Sequence, residues 1–386
     1  LLAYQIPSSN PIDSLVKSRD KNFIDESYEL AYNKTIRIAD YYKQHQEWNL
    51  VIENLYLGII YSEYFDYSKR EPLIYKAFQL ATQHLNDDNV NKAAIYACYG
   101  EILIEQNKYD SAAYYLEAAL QPFLVTAGWE VDITTTQYLL AQISYSKEEY
   151  DQAIQYLLKT ETLAKEFNNS NGILDLVYTL LGAVYYEQQD LENAIYATKK
   201  SVQLIKDTEY ISYDDSLSLM GVYQNLGVFY QIINDYKRSK LYFETTLEYQ
   251  KLLNGPKNEM INVILNYGIL LAQTGLFQDA IIQLQKALVI NNTYSQNGDV
   301  DLVNKTSINL NLSYSYANLN LLDSAFFCIN QALSDAQKMN NLEKIASFSI
   351  RKGKLFYQKK EYERAQRLIL KAISNMNSFT TKYKNV

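Results

Sequence analysis

The stretch "QNLGVFYQIINDYKRSKLYFETTL", residues 224–247, contains the pattern that decides the fold. Gly227 is followed nine residues later by Tyr236, twelve residues later by the small Ser239 and nineteen residues later by Thr246. Apolar residues recur at three- and four-residue spacing on either side of "NDYK", which predicts two amphipathic helices joined by a short turn. If the pattern recurs along the chain, the protein is a helical repeat array.

The pattern does recur, with eight small residues spaced 40–45 positions apart: Gly58, Gly100, Ala141, Gly182, Gly227, Gly268, Ser313 and Gly353. Nine positions beyond each stands a bulky residue: Tyr67, Tyr109, Tyr150, Leu191, Tyr236, Phe277, Leu322 and Tyr362. Twelve positions beyond, the first repeat has Arg70 and the others have a small residue: Ala112, Ala153, Ala194, Ser239, Ala280, Ala325 and Ala365. Nineteen positions beyond stands another small residue: Ala77, Ala119, Thr160, Ser201, Thr246, Ala287, Ala332 and Ala372.

These position classes describe helices that pack closely in pairs. A small residue in the first helix lets the second helix approach, and we expect the Ala near the start of the second helix to be its matching contact. The bulky residue closes the turn, as in "NKYDSA" and "KKEYERA", and an acidic residue or Asn is expected to cap the second helix. One pair cannot bury both of its faces, so neighbouring pairs must stack into a continuous core.

Composition agrees with long helices in a globular chain. The 386 residues are 48% hydrophobic and 21% charged and include 5 Pro and 12 Gly, so few residues interrupt a helix. No run approaches the roughly 18 apolar residues of a membrane span. The opening "LLAYQIPSSNP" is compatible with the remainder of a signal peptide or with a helix end. Two cysteines far apart provide no disulfide framework, which leaves the compartment open between cytoplasm and periplasm.

The repeat resembles the tetratricopeptide repeat (TPR) over residues 47–376. The Leu-Gly, Tyr, Ala, Phe and Ala positions of that family correspond here to Leu226–Gly227, Tyr230, Ser239, Phe243 and Thr246. A period near 41 instead of 34, with Pro mostly missing after the second helix, is similar to the longer repeats of kinesin light chains, Leu-Gly-Asn adaptors and Rap-type peptide sensors of bacteria. The resemblance implies an all-α, right-handed superhelix of about eight pairs, with about eighteen helices in total.

Residues 1–46 are expected to cap this array as a partial repeat. "NPIDSLVKS" predicts a short helix, and "NFIDESYELAYNKTIRIADYYKQ", residues 22–44, predicts one long amphipathic helix. Sensor proteins of Bacteroidetes are similar in this respect. That resemblance implies a kinase, DNA-binding or caspase-like domain downstream, with residues 377–386 as a tail or a link to it.

The sequence shows no constellation of catalytic or metal-binding residues. His45 and His84 stand in no metal-ligand spacing and are expected to be solvated. Cys98 and Cys328 lie in the apolar stretches "IYACYG" and "AFFCIN" and are expected to pack in the core. Carboxylate pairs such as Asp214–Asp215 are expected in loops or on solvated faces. We therefore predict no enzyme activity, no cofactor and no metal.

The net charge of −8 is unevenly distributed. Residues 338–371 carry ten Lys or Arg against three Glu, whereas residues 1–337 carry a net charge of −17. An acidic array disfavours nucleic acid as the main ligand because it repels phosphates. The basic end is either a solvated last helix pair or a contact for a downstream domain or partner.

The resemblance implies that the residue before the Leu of Leu-Gly points into a groove lined by the first helices. This position holds Asn225, Asn266 and Asn311 in three consecutive repeats and Arg351 in the next. An Asn amide offers donors and an acceptor, so it can bind the backbone of an extended peptide. Neighbouring helices stand about 8–10 Å apart, or about three residues of extended chain. Alternatively, these amides bond to neighbouring helices within the array.

Further polar and aromatic residues are expected to line the groove in repeats five to eight, one helical turn beyond the Asn or Arg positions. They are Gln231, Gln273, Tyr314, Asn318, Lys354 and Tyr357. We expect an extended partner to cross these repeats with any carboxylate directed toward Arg351 and Lys354. Repeats one to four have other residues at the Asn position, namely Tyr56, Cys98, Leu139 and Leu180. Their corresponding face carries Glu63, Glu101, Glu105 and Glu187.

Three functions are compatible with these features. The preferred one is a non-catalytic scaffold that binds a protein or peptide segment in its groove. The second is the sensor region of a larger bacterial signalling protein, whose ligand shifts the curvature of the array. The third is a structural scaffold that binds through its convex face or its ends. The oligomeric state does not follow from the sequence.

Overall fold

The computed structural model describes residues 11–167, 172–207, 211–253, 260–294 and 298–383. Within these ranges the chain forms eighteen α-helices, one short 3-10 helix and no strand. The all-α prediction and the expected number of helices are confirmed. The question of a signal-peptide remainder falls on residues 1–10, outside the described ranges.

The chain divides into two compact units, Leu1–Asp190 and Leu191–Val386, called here the N-terminal unit and the C-terminal unit. The N-terminal unit contains α1 Pro11–Ile24, α2 Tyr28–Gln44, α3 Trp48–Phe65, the 3-10 helix Tyr67–Lys69, α4 Arg70–His84, α5 Val90–Glu105, α6 Tyr109–Val125, α7 Glu130–Ser146, α8 Tyr150–Glu166 and α9 Ile173–Glu187. The C-terminal unit contains α10 Leu191–Lys206, α11 Tyr213–Ile232, α12 Tyr236–Leu253, α13 Met260–Gln273, α14 Phe277–Tyr294, α15 Gly298–Asn318, α16 Leu322–Lys338, α17 Leu342–Gln358 and α18 Tyr362–Tyr383.

One type of turn leads into the second helix of the repeats. The residue two positions before that helix has positive φ: Asn107, Glu148, Gln189, Asn234, Gly275, Asn320 and Lys360. The next N–H then bonds to the carbonyl five residues back, as from Lys108 to Leu103 at 2.8 Å and from Asp235 to Tyr230 at 2.9 Å. This is the 6→1 bond of the Schellman motif, which satisfies a carbonyl at the end of the first helix. From the second repeat onward, the predicted bulky residue is the first residue of the second helix.

Side-chain capping of the second helices is less general than expected. Asp235 Oδ1 accepts a hydrogen bond from the N–H of Arg238 at 3.1 Å, whereas the residues before α6, α8 and α16 make no such bond. The first turns of these three helices instead contain Asp110, Asp151 and Asp323. Negative charge at that place is favoured by the helix dipole without a capping bond.

The small residues of the repeat are buried, as predicted. Those at the second and third small positions have at most 3% of their surface exposed. The nearest contact of the glycines in the first helices is different from the one expected. A Cβ on Gly100 would lie 2.8 Å from Leu116, and one on Gly268 would lie 2.8 Å from Leu284. The nearest partner of these two glycines is therefore the bulky residue sixteen positions on, and the expected residue twelve positions on is a further contact, with Ala280 O 3.6 Å from a Cβ on Gly268.

The predicted first repeat departs from the others because of Arg70. Asp66 Oδ1 accepts from the N–H of Ser68 at 3.2 Å and opens the 3-10 helix, and Arg70 then begins α4. Arg70 occupies the position at which the later repeats have Ala or Ser. Its guanidinium is ion-paired with Glu63 and Glu101, so it does not serve as a small helix–helix contact.

One expectation near the start of the chain is corrected. Residues 22–44 do not form one long helix, because α1 runs to Ile24 and a turn with Glu26 at φ 56° precedes α2. Gln46 forms the same type of turn before α3. At the other end, the segment expected as a tail from residue 377 continues α18, which ends at Tyr383.

Candidate functional site

The predicted asparagine ladder lies on consecutive first helices of the C-terminal unit. Asn225 is in α11, Asn266 in α13 and Asn311 in α15, and Arg351 follows in α17. Helix α11 contacts α13, and α13 contacts α15. All four side chains are half-buried. We call the surface formed by these four residues the first-helix face.

The amides of the ladder make no bond to a neighbouring helix among the described residues. Asn225 and Asn266 have no side-chain hydrogen-bond partner there. Asn311 Nδ2 donates to the carbonyl of Ser307 in its own helix at 2.9 Å. Its Oδ1 and its second N–H remain available. The geometry thus leaves these amides able to bind an external backbone.

Two of the accessory polar residues are already engaged with each other. Gln231 Nε2 donates to Gln273 Oε1 at 2.7 Å, which joins the ends of α11 and α13. Asn318 Nδ2 donates to the carbonyl of Tyr314 in its own helix at 2.9 Å. These bonds are on exposed side chains, where water competes for them. Gln231, Gln273 and Asn318 thus already have partners within the chain, unlike Asn225 and Asn266.

Arg351 is the charged end of the first-helix face. Its guanidinium carbon lies 5.2 Å from the centroid of the Tyr314 ring, within cation–π range. Burial lowers the pKa of Arg351 below its ordinary value, while Tyr314 opposes this shift. No carboxylate among the described residues forms an ion pair with it. A half-buried guanidinium without a counter-ion favours a carboxylate from outside.

Lys354 and Tyr357 extend the basic end of the same helix. Both side chains are exposed. The ring of Tyr357 contacts Tyr362 of α18 edge-on, with centroids 5.2 Å apart. Lys354 is one turn from Arg351, so the two cations can act on one anionic group.

The equivalent face of the N-terminal unit contains a cavity that the sequence did not reveal. Tyr56, Cys98 and Leu139, which stand at the Asn position in repeats one to three, line a cavity of about 480 Å³. Trp129 and Asp132 also line it but belong to no repeat position. No periodic signal could therefore have connected them with the other three.

The two histidines, the two cysteines and Asp215 lie outside the four residues of the first-helix face. His84 is stacked on Trp48 with ring centroids 3.6 Å apart, which corrects the expectation of a solvated side chain. His45 is exposed. Cys98 and Cys328 are buried free thiols. Asp215 is not in a solvated loop but forms a capping box with Ser212 at the start of α11.

The described ranges contain no arrangement typical of a metal site or of a membrane-spanning helix. No group of three or more His, Cys, Asp or Glu side chains there is arranged to hold a metal ion. None of the helices in that part of the chain is both long enough and apolar enough to cross a bilayer.

Comparison with solved structures identifies the fold. Apo RapI is similar with a TM-score of 0.64 at 12% identity, over 96% of this chain and 99% of that one. The chain has a tetratricopeptide-type fold. The apo quorum sensor NprR from B. thuringiensis has a TM-score of 0.62 at 15% identity, over 95% of this chain and 99% of that one. A STAND signal-transduction ATPase with a TPR sensor, from Pyrococcus horikoshii, has a TM-score of 0.63 at 15% identity, over 97% of this chain and 55% of that one.

No protein-family model matches the chain, and neither does any curated protein. At these identities the TPR similarity describes the fold. Function has to be argued from the side chains.

Proposed function

We propose that the first-helix face binds an extended polypeptide segment and that the protein acts as a non-catalytic binding scaffold. The observation that carries this proposal is the pair of half-buried, unpaired amides of Asn225 and Asn266 on the adjacent helices α11 and α13. A polar group without a partner in a half-buried place gains most from a ligand that supplies one. An extended backbone presents an N–H and a C=O at regular intervals and is the simplest such ligand.

The direction of the segment is set by charge. Arg351 and Lys354 form the cationic end of the face, and Arg351 has no carboxylate partner among the described residues. A carboxylate of the segment, from its C-terminus or from an Asp or Glu side chain, is bound at this end. Tyr314 makes a cation–π contact with Arg351. Its side chain is exposed and can also contact the ligand.

A second candidate is a sensor region within a longer signalling protein. Its support is the fold similarity to a quorum sensor and to a STAND protein with a TPR sensor, of which the matching part is 55% of the chain. Both candidates use the same face. They differ in whether binding changes an attached effector.

The test begins with peptides of eight to twelve residues selected from a display library against the whole chain, followed by calorimetric titration. We expect Asn266→Ala to weaken binding by about 1–3 kcal/mol and to leave the melting temperature unchanged, because the amide has no bond within the fold. Arg351→Met should lower the affinity for peptides that have a carboxylate. It should leave the affinity for their amidated counterparts unchanged.

Asn330→Ala is the matched control, since Asn330 is an exposed Asn on the second helix α16 of the repeat that contains Asn311. It should bind like the wild type. The proposal is wrong if alanine at Asn225, Asn266 and Asn311 leaves the affinity of every selected peptide unchanged. Early melting of those variants would then identify the asparagines as structural.

A further inference from the structure

The N-terminal unit contains a cavity that is separate from the first-helix face. It is lined by residues of α3, α4, α5 and α7 and of the loop before α7. Its volume of about 480 Å³ falls within the roughly 300–1,000 Å³ of small-ligand sites. Its polar lining consists chiefly of Glu63, Arg70, Glu101 and Asp132, and its aromatic lining of Tyr56 and Trp129.

Arg70 is fully occupied inside this cavity. Its side chain is 7% exposed, and its Nε donates to Glu63 Oε1 at 2.8 Å. Its Nη2 forms a second ion pair with Glu101. Burial alone would lower the pKa of Arg70, but Glu101 and Glu63 hold it above its ordinary value. An incoming anion would have to compete with two carboxylates already in place, so Arg70 is not an anion site.

Asp132 has no such cationic partner. The hydroxyl of Tyr56 donates to its Oδ1 at 2.6 Å, and no Lys or Arg among the described residues forms an ion pair with it. With Glu63 and Glu101, the lining has three carboxylates against one guanidinium. The cavity therefore carries an excess of negative charge when these groups are ionised.

Two aromatic rings line the same cavity as the Asp132 carboxylate. The rings of Tyr56 and Trp129 are 5.7 Å apart between centroids. Trp129 is also stacked on the fully buried Phe123 at 5.2 Å, which fixes its orientation. The face of an indole ring attracts cations more strongly than other aromatic faces do. A carboxylate and two aromatic rings that line one cavity suit ammonium and guanidinium groups.

The raised pKa values of two carboxyl groups in the lining agree with a site for a cation. Burial raises the pKa of Glu101, and Arg70 opposes the shift only in part. Burial also raises the pKa of Asp132, against the hydrogen bond from Tyr56. A cation between these groups would favour both ionised forms.

We propose that this cavity binds an organic cation, a protonated amine or guanidinium group, with Asp132 as the counter-ion and the Trp129 and Tyr56 rings as its aromatic wall. The cation is either a free small amine or the basic side chain of a polypeptide. The proposal does not depend on the peptide-binding function of the C-terminal unit. It uses residues of the other unit.

Tryptophan fluorescence can test it directly. The chain has two Trp, and Trp48 is stacked on His84 and does not line the cavity. In a Trp48→Phe variant of the whole chain, Trp129 is the sole reporter. N-acetyl-arginine amide should change its emission in a saturable way and bind at least about tenfold more tightly than the neutral isostere N-acetyl-citrulline amide. Butylamine tests the free-amine source: binding as tight as that of the arginine amide indicates a small amine, and weaker binding indicates a polypeptide side chain.

Substitutions locate the site. Asp132→Asn in the same background should lower affinity for the arginine amide by about tenfold or more, and Glu101→Gln provides a second test if Asp132→Asn alters folding. Asp110→Asn is the matched control, because Asp110 is 91% exposed and pairs with Lys147 outside the cavity. Equal binding of the arginine and citrulline amides, or undiminished binding in both carboxylate variants, would overturn the proposal.

Discussion

Gly227 in α11 lies so close to Phe243 in α12 that a Cβ at position 227 would stand 2.7 Å from the Cδ1 and Cε1 atoms of the ring. Phe243 is fully buried, so its ring has no space into which to move. The same relationship joins Gly353 to Ile369, where the nearest distance would be 2.5 Å. The closeness of these helix pairs therefore depends on the absence of a side chain at one position.

Gly227→Ala should destabilise the protein by about 1–3 kcal/mol through overpacking. Gly221→Ala in the same helix is the control, because apart from the adjacent residues and the backbone of its own helix nothing lies within 4 Å of a Cβ at Gly221. There, Ala should stabilise by up to about 1 kcal/mol through helix propensity. Urea unfolding of both variants measures the difference, and equal midpoints would contradict the packing argument.

Ser313 occupies the glycine position of its repeat, and its buried hydroxyl group lowers the stability of the fold. Its side chain is fully buried, and its Oγ has no hydrogen-bond partner among the described residues. Ser313→Ala should stabilise the protein by about 1 kcal/mol, because it removes an unsatisfied hydroxyl and keeps the size small.

Ser315 in the same helix is the matched control. It is equally buried, but its Oγ donates to the carbonyl of Asn311 at 2.9 Å. Ser315→Ala should therefore be neutral or destabilising by up to about 1 kcal/mol. The melting temperature should rise for Ser313→Ala and stay unchanged or fall for Ser315→Ala. A loss of stability in Ser313→Ala would show that its hydroxyl is satisfied in solution.

Asp132 should make stability depend on pH. Its pKa is raised in the native state by burial, so the native protein binds this proton more tightly than the unfolded chain. The resulting stabilisation is complete below the unfolded carboxyl pKa of about 4 and is lost as pH rises through the native pKa. Asp132→Asn removes the titration. The stability of this variant relative to wild type should therefore increase from pH 4 to pH 7.

Asp110→Asn is the control, because that carboxylate is 91% exposed. Urea unfolding at four or five pH values measures the stability difference between each variant and the wild type. A variant-to-wild-type difference that is constant, or that decreases with pH, would mean that burial does not penalise the Asp132 carboxylate.

Folding should require neither metal nor disulfide. Cys98 and Cys328 are free and buried, and the cores of both units are built from aliphatic and aromatic side chains. Addition of a chelator and a reductant should leave the melting temperature unchanged. A decrease of many degrees with chelator alone would reveal a metal site.

The positions that recur along the chain could be predicted because they obey local rules. Tyr109, Tyr236 and Phe277 begin second helices, and Ala112 and Ala280 are buried, as the spacing indicated. Each follows from the pairing of two helices adjacent in sequence. The positive-φ residue of the turn was also readable in principle, but it is glycine only at Gly275 among the seven turns.

The sequence by itself determined the repeat, its register and the polar positions of the first-helix face. Only the tertiary structure decided which of those amides are unpaired, where the guanidinium of Arg70 lies and that Tyr56 meets Asp132, 76 residues away. The physical reason is that a repeat pattern encodes helix faces, which are set by nearest neighbours. Hydrogen bonds, ion pairs and cavities depend instead on side-chain directions in several helices at once, and no periodicity in the sequence records them.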